Sequence, residues 1–177
     1  MELTFSIANE AEASAIAALR NSAAEALTRK YGQGNWSSAT TEKSILREVA
    51  RPKFQLTLIA KADATIVATL TLQTKKPWAI DVAYFTQAKK ALYLINMAVH
   101  PDWQGKGVGR LILKEAETQA RIWPSNAIRL DAWDAKAGAG AFYAKCGFCE
   151  TGRVVYRNAP LIYYEKVLVA QPFAAKA

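Results

Sequence analysis

Three glycines fall within five residues at Gly105, Gly107 and Gly109, flanked by Gln104 and Arg110 and interleaved with Lys106 and Val108. The apolar run Ala91 to Val99 leads into this stretch, and a helical pattern begins inside it. Glycine lets a backbone aim successive N–H groups at one point, and a helix start adds unpaired donors and partial positive charge. Together they make a cradle for an anion such as a diphosphate, with Lys106 and Arg110 supplying formal charge beside it. The Walker spacing is absent, and the dinucleotide pattern fails because Arg110 stands where its third glycine belongs. A bare strand-to-helix connection would not need three glycines, each of which weakens a helix start.

Other chemistry-bearing residues say less. Cys146 and Cys149 spell C-x-x-C, but the first falls at the end of a helical pattern, where the helix dipole opposes thiolate formation. A metal site would need a second such pair or more than the one histidine, so no metal is expected. That histidine, His100, precedes Pro101 and has no Ser or Cys nucleophile motif with it, so it reads as a loop residue. Trp36, Trp78 and Trp133 suit either an acceptor pocket or ordinary packing.

Periodicity supplies the scaffold for these residues. Glu10 to Tyr31 carries Ile16, Leu19, Ala23 and Leu27 on one face, an amphipathic helix with Asn9 as cap and Gly32 as stop. A short helix near Thr41 to Ala50 ends at Arg51-Pro52. Phe54 to Lys61 and Thr65 to Gln73 read as a hairpin, and Ala91 to Val99 as a strand buried on both faces apart from Asn96. A helix from about Gly107 to Trp123, a strand from Ala127 to Trp133 and a helix from Ala135 to Cys146 come next, with Gly147 as a left-handed cap. Strands near Phe148 to Tyr156 and Leu161 to Val169 close the chain. The class is mixed α/β (α+β), with hairpins at both ends of the sheet and one strand–helix–strand unit between them.

Two motifs now stand in order: Gln104-x-x-Gly107-x-Gly109, and, about 35 residues on, a helix carrying Tyr143 that ends in Gly147-Phe148 before a strand. In these the sequence resembles the GNAT superfamily of acyl-CoA N-acyltransferases, over most of the chain. The resemblance implies a central sheet of about six to seven strands flanked by about four helices, in a single acetyltransferase domain over residues 1–177. It implies acetyl-CoA as cosubstrate and coenzyme A as product. In similar proteins the fourth strand splays from its neighbour and offers main-chain groups to the pantetheine arm, here Met97, Ala98 and Val99. The Val99 N–H would polarise the thioester carbonyl, and Gln104 to Arg110 would hold the diphosphate. Tyr143 matches the general acid that protonates the departing thiolate, a transfer between groups of reference pKa ~10 and ~8.5. A position seven residues before that tyrosine often carries Asn on the pantetheine; here it is Lys136, which would instead meet a phosphate.

An amine acceptor must lose a proton before attack, at a cost of about 4–5 kcal/mol for a lysine-like amine at neutral pH. Asp131, Asp81 and Asn96 (the last by positioning a water) are the candidates for assisting that step. Composition fits this reading. The 177 residues suit one domain, apolar residues make up 51%, and no apolar run approaches the ~18 residues of a membrane span. Two cysteines and a start without a basic leader point to a soluble, cytoplasmic protein. The charge of +8 favours an anionic ligand, while no run of five basic residues supports nucleic-acid binding. The expected activity is transfer of acetyl to a primary amine of a small molecule or peptide by direct attack in a ternary complex. A non-catalytic acyl-CoA sensor on the same fold is the alternative. The acceptor and the oligomeric state, a homodimer included, are not specified by the sequence.

Overall fold

The computed structural model describes residues 2–168, so the expected end of the last strand at Val169 lies outside the described residues. Seven strands form one sheet in the order β1-β2-β3-β4-β5-β7-β6: β1 (Thr4–Ile7), β2 (Gln55–Ala62), β3 (Thr65–Gln73), β4 (Ala91–Val99), β5 (Ala127–Trp133), β6 (Cys149–Tyr156) and β7 (Ala159–Val167). Four α-helices accompany it: α1 (Ala13–Tyr31), α2 (Glu42–Val49), α3 (Val108–Ile122) and α4 (Gly140–Lys145). Among the described strands only the β4–β5 pair is parallel, and α3 crosses between them, as a parallel pair requires.

Helix α3 buries Val108, Ile112, Leu113, Ala116 and Ala120, its three-to-four-spaced stripe, on the sheet face that also carries Leu92, Leu94 and Leu130. Helices α1 and α2 cover the opposite face, where Ile16, Leu19 and Ile45 meet Ile59 and Ile66. Asn9 closes a capping box with Glu12 on a single 3₁₀ turn before α1, and Gly32 ends α1 at φ +80°. The last helix departs from expectation. Residues 135–139 form turns instead of its first half, leaving α4 six residues long. A Cβ at Gly138 would lie 1.7 Å from the Trp133 carbonyl oxygen, so the chain folds back on the end of β5 there before a helix begins. Among the described strands and α-helices, β1 is the one that sequence periodicity did not mark; four edge residues are too few to display alternation.

Two irregularities in β4 open the sheet at its centre. Thr69 pairs with Ala98 and Thr71 with Ile95, so Leu70 alone faces both Asn96 and Met97, a bulge with Asn96 at φ +53°. The β4–β5 ladder covers only Ala91–Tyr93 against Ala127–Arg129. Beyond it β4 runs along β3 to Val99 while β5 runs along β7 to Trp133, and a wedge opens between them.

Candidate active site: a wedge between diverging strands

The glycine loop sits at the end of β4. Pro101–Trp103 form one 3₁₀ turn, capped by His100, whose Nδ1 accepts the Asp102 N–H at 3.3 Å. Gln104 Nε2 donates to the Val99 carbonyl at 3.1 Å and ties the loop back to the strand. Gly105 and Gly107 hold φ of +73° and +83°, a left-handed backbone that side chains with a branched Cβ rarely adopt, and Gly107 is the N-cap of α3. A Cβ at either glycine would meet no protein atom within 4 Å, so the backbone faces open space there. At Gly109 a Cβ would instead lie 3.0 Å from the Phe142 ring, which fixes α3 close to α4. These features fit a diphosphate against the first turn of α3.

The register of β4 decides which of its groups face the wedge. His100 N–H donates to the Val67 carbonyl at 2.9 Å, which makes Val67–His100 a hydrogen-bonded pair. The next pair, Ala68–Val99, is then of the other kind, and the Val99 N–H and C=O both turn away from β3. That side is the wedge.

A groove of about 590 Å³ runs from the glycine loop into the wedge, bordered by Met97, Val99, Gly107, Arg110, Tyr143 and Lys145 among others. Arg110 thus lines the groove, whereas Lys106 places its Nζ 5.4 Å from the centre of the Trp103 ring, and Lys136, in the turns before α4, borders neither this groove nor the pocket beyond it. Lys145, the last residue of α4, is a groove cation that the sequence reading missed; a basic residue in the last turn of the tyrosine helix was its signal. Tyr143 is buried between Phe142 and Phe148, and its hydroxyl donates toward the Met97 sulfur at 3.7 Å. Burial above all, then the nearby charges of Asp131 and Cys146, push its pKa well above that of a free phenol. The phenol therefore stays protonated through the physiological range. Cys146 is the C-cap of α4, and burial raises its thiol pKa against the opposing pull of Arg110 and Lys166.

On the other side of the bulge lies a second cavity of about 450 Å³ that shares Met97 and Ala98 with the groove. Its back wall is a polar cluster. Arg20 on α1 donates from both terminal nitrogens to Glu48 on α2, at 2.8 and 3.0 Å. Thr57 Oγ1 donates to Glu48 at 2.7 Å, Thr71 Oγ1 donates to the same carboxylate oxygen, and Asn96 Nδ2 donates to the other at 3.1 Å. Burial pushes Glu48 up, but the Arg20 hydrogen bonds and charge, aided by Thr71 and Thr57, outweigh it and hold the carboxyl below its ordinary pKa. A carboxylate depressed in this way keeps its stabilising contribution above the ordinary carboxylate pKa and loses it only as pH falls through the lowered value. The clamp is intact at neutral pH.

Glu48 was not anticipated. It stands three residues after the buried Ile45, on the inward face of α2, and Arg20 lies likewise between the buried Leu19 and Ala23 on α1. Opposite charges on the apolar faces of consecutive helices were the available signal. Asn96, by contrast, is brought into this cluster. Asp131 is not: it shares a sheet face with Arg129 and Trp133, borders neither cavity, and burial pushes its carboxyl pKa up. Asp81 caps a 3₁₀ turn by accepting the Ala83 N–H at 3.0 Å. Trp36 borders the second cavity and leans on Trp133, with ring centres 4.5 Å apart, while Trp78 is exposed on the surface. Among the described residues no group of three or more His, Cys, Asp or Glu is arranged to hold a metal, and no helix is long and apolar enough to cross a membrane.

The pattern describing the Acetyltransferase (GNAT) family matches residues 16–148, from α1 through the end of the Tyr143 segment. The chain belongs to the GNAT acetyltransferase family. It falls, by that membership, in the acyltransferase class of enzymes. An aminoglycoside N(6')-acetyltransferase type 1 from Stenotrophomonas maltophilia is 35% identical over 81 residues, 46% of this GNAT chain and 53% of that protein. The match thus spans about half the length of the curated relative. Among solved structures, the PaiA N-acetyltransferase of Thermoplasma acidophilum in complex with coenzyme A superposes with a TM-score of 0.72 at 18% identity, covering 94% of this chain and 99% of that one. The yncA protein of Salmonella typhimurium with its cofactor acetyl-CoA gives 0.71 at 18% identity over 99% and 98%. The seven-stranded mixed sheet and the four helices of this GNAT chain match the fold of those acetyltransferase structures.

Proposed function

We propose that the chain, as one domain over residues 1–177, is a cytoplasmic N-acetyltransferase that moves the acetyl group of acetyl-CoA to a primary amine by direct attack in a ternary complex. One observation carries this reading: Met97 and Ala98 border both the groove and the second cavity, so two reactants held on either side of the bulge would meet there. Acetyl-CoA, when bound, supplies an acyl group already activated as a thioester. Main-chain donors between Gln104 and Arg110, helped by Arg110 and Lys145, would hold its diphosphate. Met97, Ala98 and Val99 would line its pantetheine arm, and the Val99 N–H is the donor available to an acyl oxygen.

The amine nitrogen forms the new bond to the acyl carbon, the carbon–sulfur bond breaks, and the sulfur leaves as thiolate. Tyr143, which lines the groove with its hydroxyl directed toward Met97, would be the donor offered to that sulfur. Its raised pKa makes complete proton transfer to a thiolate uphill, so its main effect is a hydrogen bond that stabilises the charge growing on sulfur. Asn96, with its amide nitrogen committed to Glu48, retains its carbonyl oxygen for the incoming amine or a water that takes the amine's proton. Asp131 stays a more remote candidate for that role, through its charge rather than contact.

The test is calorimetric titration with coenzyme A and acetyl-CoA, then thiol release with a panel of amines. An aminoglycoside, after the name of the curated relative, belongs in that panel. Absence of binding heat with any coenzyme A species in folded protein would defeat the proposal. Glu48→Gln provides a narrower check. Removing one charge of a buried pair costs roughly 3 kcal/mol of stability in urea unfolding. Because Asn96 loses its anchor, the amine KM is expected to rise about fivefold or more while coenzyme A affinity is retained. Equal loss of both affinities would show a general collapse instead.

A further inference from the structure

The second cavity has a charge balance that bears on what it accepts. Among the described residues its wall contains a single carboxylate, Glu48, and both oxygens of that carboxylate are engaged by Arg20, Thr57, Thr71 and Asn96. The Arg20 guanidinium lies in the same wall, so the pair contributes no net charge. The remaining polar groups of the rim, Asn35, Ser38, Thr40 and Ser44, are neutral. The adjoining cleft on the far side of Ser38 and Ala39 adds Glu25 and Arg29, one of each sign. Around this neutral cavity the chain as a whole carries +8.

A polycation entering such a place would leave water and its counterions without meeting surplus negative charge, and would do so against the field of the protein. A single amine that becomes neutral before attack does not face that cost, and the amide and hydroxyl groups of the rim can bond uncharged polar atoms around it. From this we infer that the acceptor is a compact amine with no further positive charge, of the kind presented by an amino-acyl or peptide N-terminus with uncharged side chains. Spermidine-like and aminoglycoside-like polycations are excluded as preferred substrates. The inference rests on the acetyltransferase reading above and narrows it.

Thiol release at fixed ionic strength with an uncharged-side-chain dipeptide, spermidine and kanamycin tests it. The dipeptide is expected to exceed both polycations in kcat/KM by about thirtyfold or more, a gap of the size that unmatched charge produces at binding sites. A polycation as the best of the three would overturn the inference while leaving the acetyltransferase reading intact. Should coenzyme A bind and none of the three be acetylated, the acetyltransferase reading falls and this inference with it. Ser38→Glu, at a rim position, supplies an internal control. One added carboxylate near the incoming amine is expected to shift the spermidine-to-dipeptide ratio roughly tenfold toward spermidine. An unchanged ratio would show that amines do not enter by this cavity, and would also overturn the inference.

Discussion

Gly107→Val is expected to weaken coenzyme A binding at least about a hundredfold in calorimetry, a loss near ~3 kcal/mol. Two effects add at this position. Gly107 caps α3 at φ +83°, where a β-branched residue is strained by more than about 1 kcal/mol, so the loop must change its backbone to accept valine. The new side chain would also project into the open space that the loop's N–H groups face, where a Cβ now meets nothing within 4 Å. Far-ultraviolet circular dichroism should change little, since α3 starts one residue later and its buried stripe is untouched. Wild-type affinity in a folded variant would separate the glycine loop from cofactor binding altogether.

Tyr143→Phe is the second large effect. Its kcat is expected to fall about 10- to 100-fold, the range of one hydrogen bond to a charged group, with coenzyme A affinity within about threefold of wild type. Packing should survive, because the ring lies among Phe142, Phe148 and Tyr164 and its hydroxyl gives a long hydrogen bond to the Met97 sulfur. The pH profile gives an independent reading. With its pKa raised by burial well above that of a free phenol, Tyr143 cannot be the source of any basic limb below about pH 10. The limb seen in the wild type should therefore persist in the variant at lower amplitude. Full turnover in Tyr143→Phe would remove the tyrosine from the mechanism.

What the residues alone could reveal depended on how local each feature is. β3, β4 and β5 lie where their runs of Val, Ile, Leu and Thr predict, and Asn9, Gly32 and Gly147 cap as their types suggest, because these are decisions of a few neighbouring residues. The glycine loop was legible for the same reason. The first half of the expected 135–146 helix was not, since Gly138 is there for its approach to the Trp133 carbonyl, a contact that periodicity does not display. The site divided along the same line. Tyr143 and the groove residues arise from contiguous motifs, whereas Glu48 meets Asn96 across 48 positions of sequence and acquires meaning only when α2 docks on the sheet. Asp131 lies on the strand before the tyrosine helix, but its side chain lines neither cavity, a matter of three-dimensional placement that the sequence does not display.

The parting of β4 from β5 after three residue pairs has a consequence for solubility as well as chemistry. Unsatisfied backbone donors and acceptors along a strand ordinarily invite another molecule's strand to add on, which is why outer margins such as β1 and β6 tend to be short, irregular or charged. Here the unpaired stretch lies in the interior of the sheet, walled by α3 and α4 on one face and α1 and α2 on the other. A strand from another molecule would have to pass between those helices to pair with it. The chain can thus keep polar backbone groups ready for a slender ligand without presenting a template for self-association.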